Sequence, residues 1–196
     1  MAYELHSSAP VARRGRGFTL VELMAVVVIV GVLATLAVLG YRKIVTSSHV
    51  TEATSMVNSI RVAQEAYHAE TQMYAPCMGS SDLTGSSAWY PAKSVYGKLT
   101  AWGASCTGIC QAGYDISTVL PVHVDGPVLF GYQTVAGPAA AAGTGVTNAC
   151  GTTITSGTAD YFAIAAEADL DGNTSDTTDV CAASWTNQLF VAREGL

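Results

Sequence analysis

The segment that most constrains this chain is Phe18 to Leu39, FTLVELMAVVVIVGVLATLAVL, an apolar run in which Glu22 is the one ionisable residue. As a helix rising about 1.5 Å per residue, it is long enough to cross a bilayer core of about 30 Å. Its β-branched stretch, Val26 to Val30, would weaken a helix in water, but lipid offers backbone groups no partner outside the segment itself. Gly31 and Gly40 are the weak points, each costing up to about 1 kcal/mol against alanine in an exposed helix.

Ahead of the run, residues 1–17 show no apolar period and end in Arg13, Arg14, Gly15, Arg16 and Gly17, the composition of a targeting leader. Basic residues before a span hold that side in the cytoplasm, so whatever follows the span is exported. Arg42 and Lys43 lie beyond the span and oppose this bias, but the three leader arginines outnumber them.

Past Gly40, apolar residues recur at Tyr41, Ile44, Val45, Ala53, Met56, Val57, Ile60, Ala63 and Tyr67, the spacing of one stripe on a helix. The helix should therefore run on into water as far as Pro76. At about 80 Å, a helix from Thr19 to Met73 exceeds what one small domain can cover, so half of it should project.

From Cys77 onward, three bases (Lys93, Lys98, Arg193) face ten acids, a net charge of −7. Nucleic-acid binding needs clustered lysine and arginine to displace counterions from phosphates, so no direct binding is expected. All five cysteines fall in this region, as expected of disulfides formed outside the cytoplasm, and the odd count leaves one over or pairs it between chains. Residues 77–126 read as an irregular layer with Trp89, Tyr90, Tyr96 and Trp102 as anchors. Val128–Val135, Tyr161–Ala168 and Gln188–Ala192 read as strands of a small antiparallel sheet, and Gly137 to Gly145 as a loop.

The combination of preceding arginines, Gly17-Phe18-Thr19-Leu20-Val21-Glu22 and an uninterrupted apolar helix resembles the class III signal of type IV pilins and type II secretion pseudopilins, over about Arg13 to Tyr41. The resemblance implies an α+β pilin fold: a long N-terminal helix packed on a small antiparallel sheet with disulfide-bonded loops. It implies four parts, with 1–17 a cleaved leader, 18–40 the membrane and filament-core half of the helix, 41–76 its amphipathic half and 77–196 the head. It also implies cleavage by a prepilin peptidase between Gly17 and Phe18, methylation of the Phe18 amine, and retention of the apolar helix. The precursor would sit in a bacterial inner membrane and meet an assembly platform there. Copies would then polymerise into an extracellular pilus for adhesion, motility or DNA uptake, with a periplasmic secretion pseudopilus as one alternative and a membrane-anchored binding domain that never polymerises as another. Glu22, one turn past Phe18, would pair with the N-terminal amine of a neighbouring copy, because an ionised carboxylate costs about 2.5 kcal/mol or more at mid-membrane; snorkelling towards the membrane edge is the plainer alternative. The family's proline near the end of the apolar run is missing, Leu39 and Gly40 standing there, which puts the continuity of the helix between Gly31 and Gly40 in question.

Cys150 and Cys181 flank the Tyr161–Ala168 strand, which resembles the disulfide-closed C-terminal region of many pilins; such a closure of about 30 residues restricts the unfolded chain by about 3 kcal/mol. Cys106 and Cys110, spaced C-x3-C, read as a disulfide or two thiols, since nothing nearby completes a zinc tetrad. The stretch EADLDGNTSD offers Glu167, Asp169, Asp171, Asn173 and Asp176 as alternate oxygen donors for calcium, but Thr178 stands where an EF-hand has its bidentate glutamate. An acidic hairpin turn around Asp171-Gly172 is the preferred reading, and no other cofactor is expected. The scattered histidines His6, His49, His68 and His123 form no catalytic spacing with a nucleophile, so the chain is expected to be structural and not an enzyme.

Overall fold

A computed structural model describes residues 17–75, 77, 89–91, 98–103, 116–138, 145–147, 153–155, 159–170, 172 and 177–193. The elements run α1 (Leu20–Thr71), β1 (Thr100–Ala101), α2 (Ile116–Val119), β2 (Pro127–Val128), β3 (Gly131–Gly137), β4 (Gly145–Thr147), β5 (Thr153–Thr155), β6 (Tyr161–Ala168), β7 (Thr178–Ala183) and β8 (Thr186–Ala192). The chain divides into two compact units, Met1–Tyr41 and Arg42–Leu196.

Helix α1 is one continuous element of 52 residues, helical through both Gly31 and Gly40. Without the proline, every backbone N–H in this stretch can donate to the preceding turn, and two glycines spaced well apart do not stop it. The helix closes at Thr71, five positions short of Pro76. Gln72 takes a left-handed conformation (φ 62°), and its N–H reaches back to the carbonyl of His68 at 2.9 Å, so a capping turn ends the helix before the proline can.

In the first unit, the large apolar side chains from Phe18 to Leu39 are all more than half exposed. In the second unit, Val50, Ala53, Met56, Val57, Ile60 and Ala63 are buried on the face that the three-and-four spacing marks. The buried stripe is shorter than the expected one: Tyr41 and Ile44 are exposed, and it begins at Val50.

That stripe shares one core cluster with Tyr132, Phe162, Ile164, Ala166, Val180 and Ala182 of an antiparallel sheet ordered β3-β6-β7-β8. Period-two alternation sends the intervening residues, Val135, Ala163, Ala165, Cys181 and Ala183, to the other face, where they cluster with Trp89. With residues of both faces buried, β6 and β7 are apolar almost throughout. Fully burying a side chain such as Ile60 or Phe162 stabilises the unit by about 1.5–3 kcal/mol.

The expected strand Val128–Val135 is broken: β2 ends at Val128 and pairs with β1, and β3 starts at Gly131. Strand β7 was not anticipated. Its sequence TDVCAA carries an aspartate at a position that is fully buried. Asp179 there accepts from Thr177 Oγ1 and pairs with Arg193, whose φ of 57° turns the chain just beyond β8. Burial pushes the Asp179 carboxyl above the usual carboxylate range, against the opposing pull of Arg193.

Gln64 is the one fully buried polar residue of α1. Its amide nitrogen donates to the Ala75 carbonyl (3.0 Å) and to Thr134 Oγ1 (3.2 Å), and its oxygen accepts from the Ala75 N–H (2.9 Å). One side chain thus ties the segment after the helix to both α1 and β3. Gln64→Leu keeps the volume but strands both Ala75 groups, so stability should fall by about 2 kcal/mol, read as a lower urea midpoint with an unchanged slope.

Candidate functional site

The start of α1 carries the residues singled out for processing and assembly. Gly17, Phe18 and Thr19 precede the first helical residue and have no regular secondary structure, and both Gly17 and Phe18 are exposed. The Gly17–Phe18 peptide bond therefore lies in open, non-helical chain, the form in which a protease active site can take a backbone.

Glu22 sits in the first turn, where the helix dipole favours negative charge. Its Oε2 accepts from the Thr19 N–H at 2.9 Å and from Thr19 Oγ1 at 2.8 Å, while Thr19 Oγ1 lies 3.3 Å from the Glu22 N–H. The Thr19 carbonyl accepts the first helical bond, from the Leu23 N–H at 3.2 Å. This is a capping box, in which threonine and the glutamate three residues on satisfy each other's open backbone donors. Among the described residues no hydrogen bond reaches Oε1 of Glu22. One carboxylate oxygen is used by its own helix, then, and the other is open.

Thr19 is the capping residue that the sequence reading passed over. The pattern T-x-x-E ahead of an apolar run was available to find it, but the apolar run and the exceptional Glu22 drew attention away from local capping.

The other expected sites lie in the second unit. Cys181 is disulfide-bonded, and its position in the middle of β7 holds that bridge to the sheet. Cys106, Cys110 and Cys150 lie outside the described residues, as do Asp171, Asn173 and Asp176 of the acidic stretch. Strands β6 and β7 pair antiparallel and Gly172 between them has φ 88°, so the stretch connects two adjacent strands, as a hairpin turn does. Asp169 Oδ1 accepts from the Gly172 N–H at 2.7 Å, while its Oδ2 is buried and has no hydrogen-bond partner among the described residues. Glu167 lies in β6, opposite Asp179 of β7. Among the described residues no group of three His, Cys, Asp or Glu residues comes together as a metal site.

Comparison with known proteins gives a family-model match at this same end of the chain. Residues 12–38 match the model of the prokaryotic N-terminal methylation motif. The chain is 39% identical over 62 residues to the type IV major pilin protein PilA of Myxococcus xanthus, covering 32% of this chain and 28% of that one. It is 43% identical over 51 residues to a fimbrial protein of Pseudomonas aeruginosa (26% of this chain, 33% of that one). Over 53 residues it is 43% identical to a Dichelobacter nodosus protein named "Probable minor fimbrial protein" (27% and 33%). The chain thus spans about a third or less of the length of the curated relatives it matches. No solved structure matches it.

Proposed function

We propose that this chain, which carries the N-terminal segment of the type IV pilin family, is a structural subunit, major or minor, of a type IV pilus. A prepilin peptidase cuts the Gly17–Phe18 bond, the new Phe18 amine is methylated, and the mature subunit waits in the bacterial inner membrane. An assembly platform then moves it into a surface filament of its own copies or of related pilins.

One observation carries the reading: an apolar helical segment from Phe18 to Leu39 that its own chain leaves exposed, headed by a carboxylate with one oxygen open. A segment of this kind needs either lipid or other helices around it. In a filament, packing of these segments against one another replaces the lipid, and a neighbour's Phe18 amine at Glu22 Oε1 neutralises the carboxylate inside the apolar core. Thr19 holds the carboxylate in place at the helix start and so sets where that amine must come.

A second element rests on Asp169, whose buried Oδ2 has no hydrogen-bond partner among the described residues. A bound calcium ion would supply the missing positive charge, with Asp169 as a donor and Glu167, Asp171, Asn173 and Asp176 as the residues to complete its oxygen shell. On this reading calcium raises the melting temperature of the wild type by several degrees over a chelator control and leaves Asp169→Ala unmoved. Equal melting with calcium and with chelator removes the ion from the account.

Assembly is tested at the helix start. Glu22→Ala should still insert in the membrane but reduce sheared filament yield at least tenfold, and Thr19→Val, which removes the cap and leaves the carboxylate, should reduce it less. Wild-type filament yield from Glu22→Ala would contradict the pairing.

A further inference from the structure

From Leu23 to Thr51 the chain contains no acid, and within this stretch the only lysine and arginine are Arg42 and Lys43. Both side chains are exposed, and neither makes an ion pair among the described residues. Both belong to α1, three and four residues beyond Leu39, the last residue of the apolar run. The surrounding positions are Val38, Leu39, Thr46 and Ser47, so no neighbour one turn away on the helix can neutralise them.

The length of the apolar run fixes where these cations lie while the chain is in a membrane. Phe18 to Leu39 spans about 33 Å as a helix, close to the thickness of the hydrocarbon core. A further turn, about 5 Å, carries Arg42 and Lys43 into the headgroup layer on the side opposite the leader. Their long arms can reach along the helix to place a charged head at the depth of the phosphates. As neighbours in sequence they point about 100° apart, so together they serve a broad sector of the helix surface.

We infer that Arg42 and Lys43 form a clamp for lipid phosphate groups, holding the unassembled subunit at a set depth in the outer leaflet of its membrane, with anionic phospholipid as the partner. The clamp accounts for two positive charges on the side of the span where the inside-positive bias disfavours them. It also gives the membrane-held and filament states different partners at this turn of the helix, since a subunit leaving the bilayer must give up its phosphates. The inference rests on reading Phe18–Leu39 as a membrane span, and it does not depend on polymerisation.

The test uses the full chain with ¹⁵N-labelled lysine side chains, in bilayers of phosphatidylglycerol and phosphatidylcholine in phosphate-free buffer. Solid-state NMR reads the loss of lysine Nζ signal through dipolar coupling to lipid ³¹P. The chain has three lysines, Lys43, Lys93 and Lys98, so about a third of the signal should be attenuated, and more strongly as phosphatidylglycerol increases. Lys43→Gln should abolish the attenuation and Lys98→Gln should leave it. Absence of attenuation in the wild type overturns the clamp, as does attenuation that survives Lys43→Gln. Coupling of Lys43 to a ¹³C-labelled carboxylate in place of ³¹P also overturns it, by assigning the cations to a neighbouring copy. Filament yield is read separately, so failure of the clamp and failure of the pilus reading are distinguishable.

Discussion

Everything in this protein depends on a helical surface of exposed apolar side chains. From Phe18 to Leu39 the side chains are exposed, and the cost of leaving that surface in water grows by about 25 cal/mol for each Å². Two environments remove the cost, a bilayer and a bundle of like helices. Because lipid tails are as apolar as leucine, moving between the two is decided by packing and by the few polar groups on the helix, not by hydrophobicity. Glu22, Arg42 and Lys43 are the charged groups among them, and they lie towards the two ends of the apolar run.

The head unit is built to hold the other half of the same helix firmly. Strands β6 and β7 are buried on both faces, clustering with the α1 stripe on one side and with Trp89 on the other. Polar ties reinforce this packing at chosen points. Gln64 fastens the segment that follows the helix, Glu52 accepts from the Leu129 N–H at 3.0 Å, and an Arg61 guanidinium nitrogen donates to the Thr186 carbonyl at 3.1 Å. These anchors come from the buried stripe and its flanks, so the same 52-residue element is partly core and partly bare surface.

Much of this was legible in the residues. The unbroken apolar run and the three-and-four stripe foretell one long helix with two different environments, and β6 reads as a strand from its length and its bounding turn residues. The helix ends two residues before the expected Met73, at a left-handed Gln72 that has no sequence signature. Strand β7 went unseen because Asp179, the second residue of TDVCAA, looks like a surface residue until Arg193, fourteen positions later, folds onto it. Tyr41 and Ile44 carry the helical period but meet no core, since period shows which face a residue occupies and not how far the partner sheet extends. At the site, Phe18 and Glu22 stood out by their contrast with the apolar run. Thr19 did not, because its role is a local hydrogen bond of a kind that many threonines make.

The central claim is that the apolar helix survives maturation, begins at Phe18, and exchanges lipid for other copies. N-terminal mass spectrometry of protein sheared from the cell surface tests this most directly. The account predicts filaments whose subunits begin with N-methylated Phe18. Subunits that retain Arg13, Arg14 and Arg16, or a chain found only singly in the membrane, would contradict it.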